Sequence, residues 1–279
     1  MQVRPGSETP AKVTSFQDGV PSERTDALAT EEPLEIRIVI AGKSHTVAVT
    51  MRTPGADFEL AVGFLYGEGV ISTREQVLRI SYCQDPDVPA DQLYNIVTVE
   101  LDPASSPDLR PLERHFYTSS ACGVCGKANL DALALRGVEP VAPGPRVAPD
   151  VVSALPARLR DAQRVFSSTG GLHAAGLFSA TGEVIAVRED VGRHNALDKL
   201  IGWALLEDKL PLSEHIVMVS GRSSFEIAQK CLAARVPVVC SVSAPSSLAV
   251  DVANEFDMTL IGFVRDERFN VYAGADRLS

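Results

Sequence analysis

Across the second half of the chain, short apolar runs alternate with stretches of helical period, and the links between them are short. The strand segments are 165–168, 174–178, 183–187, 216–220, 236–242 and 258–264, with Ser179-Ala180-Thr181-Gly182 as the turn before the third. The helical ones are 195–207, where Leu197, Leu200, Ile201, Ala204 and Leu205 face inward, then 224–234 and 246–256. Runs such as Ile216-Val217-Met218-Val219 suit buried strands. Strands that alternate with helices over short links predict an α/β layer with partly parallel strands.

The first half is less regular. Residues 1–30 are polar and show no apolar periodicity, so they read as a mobile tail. Alternation in 34–38 and again in 45–51 predicts a hairpin. A helix should follow, with Thr53 as cap, Pro54 in the first turn, and Asp57 and Glu59 near its positive end. Phe58, Ala61, Val62 and Leu65 share one face of it, and Gly67 can end it. Another strand is expected at 95–101 and a helix at 127–136. Four prolines, Pro140, Pro143, Pro145 and Pro149, mark a linker. The division is therefore a tail (1–30), a smaller β-rich N-terminal domain (31–136), a proline-rich linker (137–150) and a C-terminal α/β domain (151–279). The whole is α/β, or α+β taken overall.

Composition excludes several classes of function. The chain has 279 residues and a formal charge of −10, a poor balance for bulk nucleic-acid binding. No apolar run approaches the roughly 18 residues of a membrane span, and the first residues hold no apolar signal core. Five cysteines, an odd and sparse number, argue against a disulfide scaffold. A reducing compartment is expected.

Cys122-Gly123-Val124-Cys125 is the one close cysteine pair. It precedes an expected helix, whose free N–H groups, with Lys127 and Arg114, favour thiolate over thiol. Three roles compete: half of a zinc site completed by a second chain, a disulfide oxidoreductase, or a thiol that carries sulfur or an acyl group. Zinc deaminase chemistry is disfavoured, because none of the five histidines begins a His-x-Glu triplet and Ala121 precedes Cys122. Cys83, Cys231 and Cys240 lie in or beside apolar segments and read as structural.

Two further turns follow buried strands and open helices: Ser220-Gly221-Arg222-Ser223-Ser224 and Ser243-Ala244-Pro245-Ser246-Ser247. Helix N-termini, hydroxyls and Arg222 can hold phosphate there, at the strand ends where open α/β sheets bind ligands. Simple helix capping is the competing reading. His173, Asp190, Arg193 and His194 lie in polar segments beside strand ends and serve equally well as architecture. Phe263, Val264, Arg265, Asp266, Glu267 and Arg268 follow the last long strand, where an aromatic ring and two arginines can grip an aromatic, phosphorylated ligand. An ordinary hairpin turn is the alternative.

Taken together, the sequence resembles the FdhD family, the formate dehydrogenase accessory sulfurtransferases. The likeness runs from about Pro33 to Tyr272. It rests on Met51-Arg52-Thr53-Pro54-Gly55, Cys122-Gly123-Val124-Cys125-Gly126-Lys127, Thr169-Gly170-Gly171-Leu172-His173-Ala174-Ala175, Glu189-Asp190-Val191-Gly192-Arg193-His194-Asn195, Ser220-Gly221-Arg222 and Ser243-Ala244-Pro245-Ser246-Ser247-Leu248-Ala249-Val250. The resemblance implies a sulfur carrier that accepts sulfur from a cysteine desulfurase as a persulfide on Cys122, with Cys125 assisting. It implies delivery to the metal of a bis-molybdopterin guanine dinucleotide cofactor before formate dehydrogenase takes that cofactor up. It also implies a cytidine-deaminase-like C-terminal domain, a cofactor-binding segment at 263–268, and a cytoplasmic homodimer. A guanine nucleotide would mimic the cofactor. The alternative is a non-catalytic cofactor chaperone with structural zinc on the cysteine pair.

Overall fold

The computed structural model describes residues 6–85, 87–105, 139–265 and 267–279. In chain order these form β1 (Glu8–Gln17), β2 (Val20–Ala29), β3 (Glu32–Ile40), β4 (Lys43–Arg52), α1 (Asp57–Gly67), β5 (Val77–Tyr82) and β6 (Ile96–Leu101). Past residue 138 come α2 (Pro149–Ala162), α3 (Arg164–Thr169), β7 (His173–Phe178), β8 (Val184–Asp190) and α4 (Arg193–Leu206). The chain continues with β9 (Ile216–Val219), α5 (Phe225–Ala233), β10 (Val238–Ser241), α6 (Ser247–Glu255), β11 (Thr259–Arg265) and β12 (Arg268–Ala273). Cys122, Cys125 and Asp266, with the helix expected at 127–136, lie outside the described residues.

The second half forms a six-stranded sheet in the order β12-β11-β10-β9-β7-β8. Its centre, β9, β10 and β11, is parallel, and the strands on either side run antiparallel. Every residue of β9 and β10 is buried, as expected of parallel strands covered on both faces. Leu197, Leu200 and Ile201 of α4, Ile227 and Leu232 of α5 and Val252 of α6 pack over one face. Val152, Leu155 and Leu159 of α2 pack with Met218, Val238, Cys240 and Ile261 on the other. The expected α/β layer is thus present.

The first half forms a four-stranded sheet, β4-β3-β6-β5, in which only β3 and β6 are parallel. Leu34, Ile36 and Ile38 alternate inward from β3 and meet Val97 and Val99 of β6 under Leu60 and Leu65 of α1. Helix α1 is therefore the layer between this sheet and α4. A Cβ placed on Gly63 would fall on the Asp198 carbonyl, and one on Gly202 would fall on the Glu59 carbonyl. Two glycines let the helices touch backbone to backbone.

Four local expectations are corrected. Residues 8–29 are not a tail but a hairpin, closed by Asp18 and Gly19 at φ 53° and 82°. Both turn residues take left-handed angles, the geometry of a two-residue hairpin loop, so the turn sets the register without an apolar face. The segment 165–168 is helical, within α3, and its start is held by Glu189, whose carboxylate accepts from the Val165 and Phe166 N–H groups. The helix after β4 starts at Asp57, with Ala56 at its N-cap, and Thr53 bonds elsewhere. The described part of the proline-rich stretch is fastened rather than loose. Val141 N–H donates to the Phe256 carbonyl, and Arg235 and Arg277 donate to the carbonyls of residues 139, 140, 142 and 143. Helix α2 follows it directly, with Pro149 in the first turn.

The glycine contact is testable. Neither carbonyl can yield without separating α1 from α4, so Gly63→Ala should cost about 3 kcal/mol. Gly171→Ala, whose Cβ would meet Ala29 at an ordinary 3.6 Å, should stay within about 0.5 kcal/mol of wild type. Urea unfolding measures both.

Candidate functional site

The carboxyl ends of β9, β10 and β11 lie along one edge of the larger sheet, and their turns are laced together. Ser243 N–H donates to the Gly221 carbonyl (3.4 Å), Phe263 N–H to the Ser243 carbonyl (3.1 Å) and Ser246 N–H to the Ser223 carbonyl (2.9 Å). Because β7 runs antiparallel to β9, its first residue, His173, arrives at the same edge, and Asp190 at the end of β8 pairs with it. Residues 173, 190–195, 220–224, 243–247, 263–265, 267 and 268 therefore form one row, where open α/β sheets place their ligands.

The sequence-selected residues divide within that row. Ser220 Oγ accepts from Ala174 N–H at 2.9 Å and stands 3.4 Å from His173 Nδ1. Gly221 packs against the His173 ring, which a Cβ there would meet at 3.4 Å. Arg222 is exposed. Ser246 accepts from Ala249 N–H at 3.3 Å and so caps α6, while Ser247 is exposed. Phe263, in the left-handed region at φ 53°, lines a cavity of 280 Å³ with Arg265, Arg268, Phe269 and Asn270. Glu267 is exposed and faces the start of α2. Val264 is wholly buried in the core under α2. Its side chain does not reach the ligand edge, because strand alternation turns it inward between exposed neighbours.

One network fixes the other end of the row. The Asp190 carboxylate is fully buried and accepts from Thr53 N–H (3.1 Å), Gly192 N–H (2.8 Å) and Asn195 Nδ2 (3.1 Å), with Lys199 Nζ at 2.7 Å. Lys199 also donates to the Thr53 carbonyl, and Asn195 to the Met51 carbonyl. The motifs at 51–55 and 189–195 are thus one structure, joining the two sheets. Just before it, the buried Arg52 pairs with Asp57 at 3.1 Å and donates to Asn95 Oδ1 and the Tyr94 carbonyl. Removing one partner of a buried pair strands the other charge. Lys199→Met should therefore lower the unfolding free energy by about 3–5 kcal/mol, measured by denaturant titration.

Beyond Asp190, two histidines flank Arg193. Burial, then the nearby Arg193 guanidinium, lowers the proton affinity of both rings, that of His194 to about 4. His194 Nε2 lies 3.2 Å from Ser224 Oγ and 3.8 Å from the exposed Glu226 carboxylate. An unfolded chain protonates this residue near 6.5, so between pH 4 and 6.5 the unfolded state binds more protons. The contribution of His194 is present above pH 6.5 and is lost as pH falls towards 4. Unfolding of wild type and His194→Gln should show the wild type weakening relative to the variant across that window. Parallel pH profiles would show that His194 carries none of the slope.

Among the described cysteines, Cys231 and Cys240 are wholly buried, and burial pushes both thiols up, Cys231 to about 12. Cys83 is half-buried, and its Sγ accepts from Asp85 N–H at 3.5 Å.

Comparison with known proteins gives the site its family. Residues 29–279 match the model of the FdhD/NarQ family. A protein of Streptomyces coelicolor is 52% identical over 96% of this chain and 94% of its own length. One of Mycobacterium tuberculosis is 50% identical over 92% and 93%, and one of Sulfurisphaera tokodaii 44% identical over 96% and 97%. Each of the three is named "Sulfur carrier protein FdhD". A crystal structure from Desulfotalea psychrophila, provisionally described as a formate dehydrogenase accessory protein, superposes with a TM-score of 0.72. It covers 98% of this chain and 99% of its own at 23% identity, and so speaks for the fold. With nearly the whole chain matched by the family model, the protein belongs to the FdhD/NarQ family.

Proposed function

We propose that this protein is a sulfur carrier in the maturation of formate dehydrogenase. The relatives' name supports the role. The observation that carries it to particular atoms is the burial of Cys231 and Cys240, which keeps both as protonated thiols at neutral pH. A thiolate is the sulfur acceptor, which sets Cys231 and Cys240 aside, and the resemblance to the FdhD family points to the Cys122–Cys125 pair rather than the half-buried Cys83. In this reading the Cys122 thiolate attacks the outer sulfur of a persulfide on a cysteine desulfurase. The desulfurase thiolate leaves, and Cys122 holds the new S–S bond. Cys125 assists the onward step.

The substrate that receives the sulfur is the molybdenum or tungsten cofactor with its two guanine dinucleotides. The strand-end row supports binding of such a molecule, with N–H groups and hydroxyls for phosphates and Phe263, Arg265 and Arg268 for a base. Formate dehydrogenase is then the client that receives the cofactor.

Incubation of the reduced protein with a cysteine desulfurase and cysteine should add one sulfur atom, reversible by dithiothreitol and mapped by peptide mass spectrometry to Cys122. Cys122→Ala should lose the added sulfur and keep its fold, while Cys83→Ala should retain the sulfur. Sulfur that maps to neither Cys122 nor Cys125, with an active desulfurase, would overturn the reading.

A further inference from the structure

Arg193 opens α4 immediately after the segment that Asp190 holds. Its Nε is buried and has no hydrogen-bond partner among the described residues. The ion pairs at this edge run between other groups: Asp190 with Lys199, Asp198 with Lys230, and Glu226 beside His194. The stem of Arg193 meets the 220–224 turn, since a Cβ on Gly221 would stand 3.8 Å from Arg193 Cδ and 3.4 Å from His173 Nδ1. Ser223 Oγ, in the same turn, is fully buried and also lacks a partner among the described residues.

Two helices begin at this place; the first N–H groups of α4 carry no side-chain cap, while at α5 the Glu226 carboxylate accepts from Ser224 and from its own N–H and lies in the field of Arg193. Gly192 is the N-cap of α4, and Ser224, the N-cap of α5, makes no capping bond. Helix α6, by contrast, is capped by Ser246. The uncapped N–H groups of α4 favour negative charge. Ser220 Oγ accepts from Ala174 N–H and lies 3.4 Å from His173 Nδ1, to which it donates when the ring is in its Nε2–H tautomer. His173 then carries its ring proton on Nε2 as a further donor. Both histidines stay neutral at pH 7, so they present donors without competing for the anion's protons. Of the carboxylates that act on the rings, Asp190 is neutralised by Lys199 and Glu226 faces solvent.

We propose that Arg193, His173 and the 220–224 turn form an oxyanion-binding site that takes a tetrahedral, phosphate-type group. Donors from a guanidinium, a ring, the buried Ser223 hydroxyl and one helix end suit a tetrahedral anion better than a planar carboxylate. The proposal rests on the reading of the strand-end row as the cofactor's phosphate site, and it makes Arg193 rather than the exposed Arg222 the anchor. The group has two possible sources: a phosphate ester of a nucleotide, or free inorganic phosphate.

The test is calorimetric titration of inorganic phosphate and of guanosine diphosphate into wild type, Arg193→Gln, Arg193→Lys and the double variant Arg265→Gln/Arg268→Gln. Both anions should bind wild type and exclude each other. Arg193→Gln should weaken both by about ten- to a hundredfold, and Arg193→Lys should recover part of the loss. Bound phosphate should move the ring nitrogen signals of His173 and leave those of His45 in place. Phosphate bound through Arg193 with no nucleotide binding supports the site and makes its ligand the free anion. Nucleotide binding that depends on Arg265 and Arg268 but ignores Arg193→Gln overturns the proposal and leaves the cofactor reading standing. If neither anion binds wild type, both fall. Should Arg193→Gln unfold, the wild-type ring signals decide: phosphate that leaves His173 unmoved overturns the proposal.

Discussion

The Asp190 carboxylate lies wholly out of water where the segment after β4 meets the segment after β8, and most of the site's geometry follows from satisfying it. A buried carboxylate without donors would be protonated or would expel its surroundings. Here Lys199 matches its charge, and N–H groups from Thr53, Gly192 and Asn195 meet its lone pairs. Those donors come from both halves of the chain, so the carboxylate's set is complete only when the two sheets are docked. The glycine contact between α1 and α4 works along the same seam. Gly63 and Gly202 remove the side chains that would hold the helices apart, and Arg188 then clamps Glu59 across the join with both nitrogens.

The same network sets the character of the ligand edge. It fixes the start of α4, hence Arg193 and His194, one residue past a turn whose N–H is already committed to Asp190. The row is consequently uneven. At the β11–β12 end, Phe263, Arg265 and Arg268 stand in solvent, where water screens their charges. At the β7–β9 end, the groups are half-buried and hold their fields more strongly. A phosphorylated, aromatic ligand would lay its ring on the exposed end and its charge on the buried end.

The large sheet was legible because its signal is local and redundant. β9 and β10 are unbroken apolar runs, and the helices between them show one apolar face each. The failures share a cause, in that a tertiary partner decided the outcome. The 165–168 segment is rich in residues that suit strands, but Glu189 offers its carboxylate to two N–H groups there and starts a helix. Thr53 is a good cap by type, yet its hydroxyl accepts from Val191 N–H, 138 residues away. The 8–29 hairpin carries a readable sign, the Asp18-Gly19 pair, but lacks the apolar alternation by which a half-buried strand is read from sequence. In the site, Ser220, Gly221 and Arg222 were visible as a turn between strand and helix. Arg193 reads as architecture from sequence, because nothing there tells which arginine keeps a buried Nε without a hydrogen-bond partner among the described residues.

Burial also separates the described cysteines by reactivity. Cys240 lies in the central strand β10 and Cys231 on the inner face of α5. The apolar surroundings that make them good core residues oppose the charged form that sulfur transfer needs. A carrier whose core thiols were reactive would scatter persulfide over positions that no partner can reach. Keeping those thiols protonated costs the fold nothing, because neutral cysteine packs as a small apolar side chain. Among the described cysteines, the core therefore withholds Cys231 and Cys240 from thiolate chemistry.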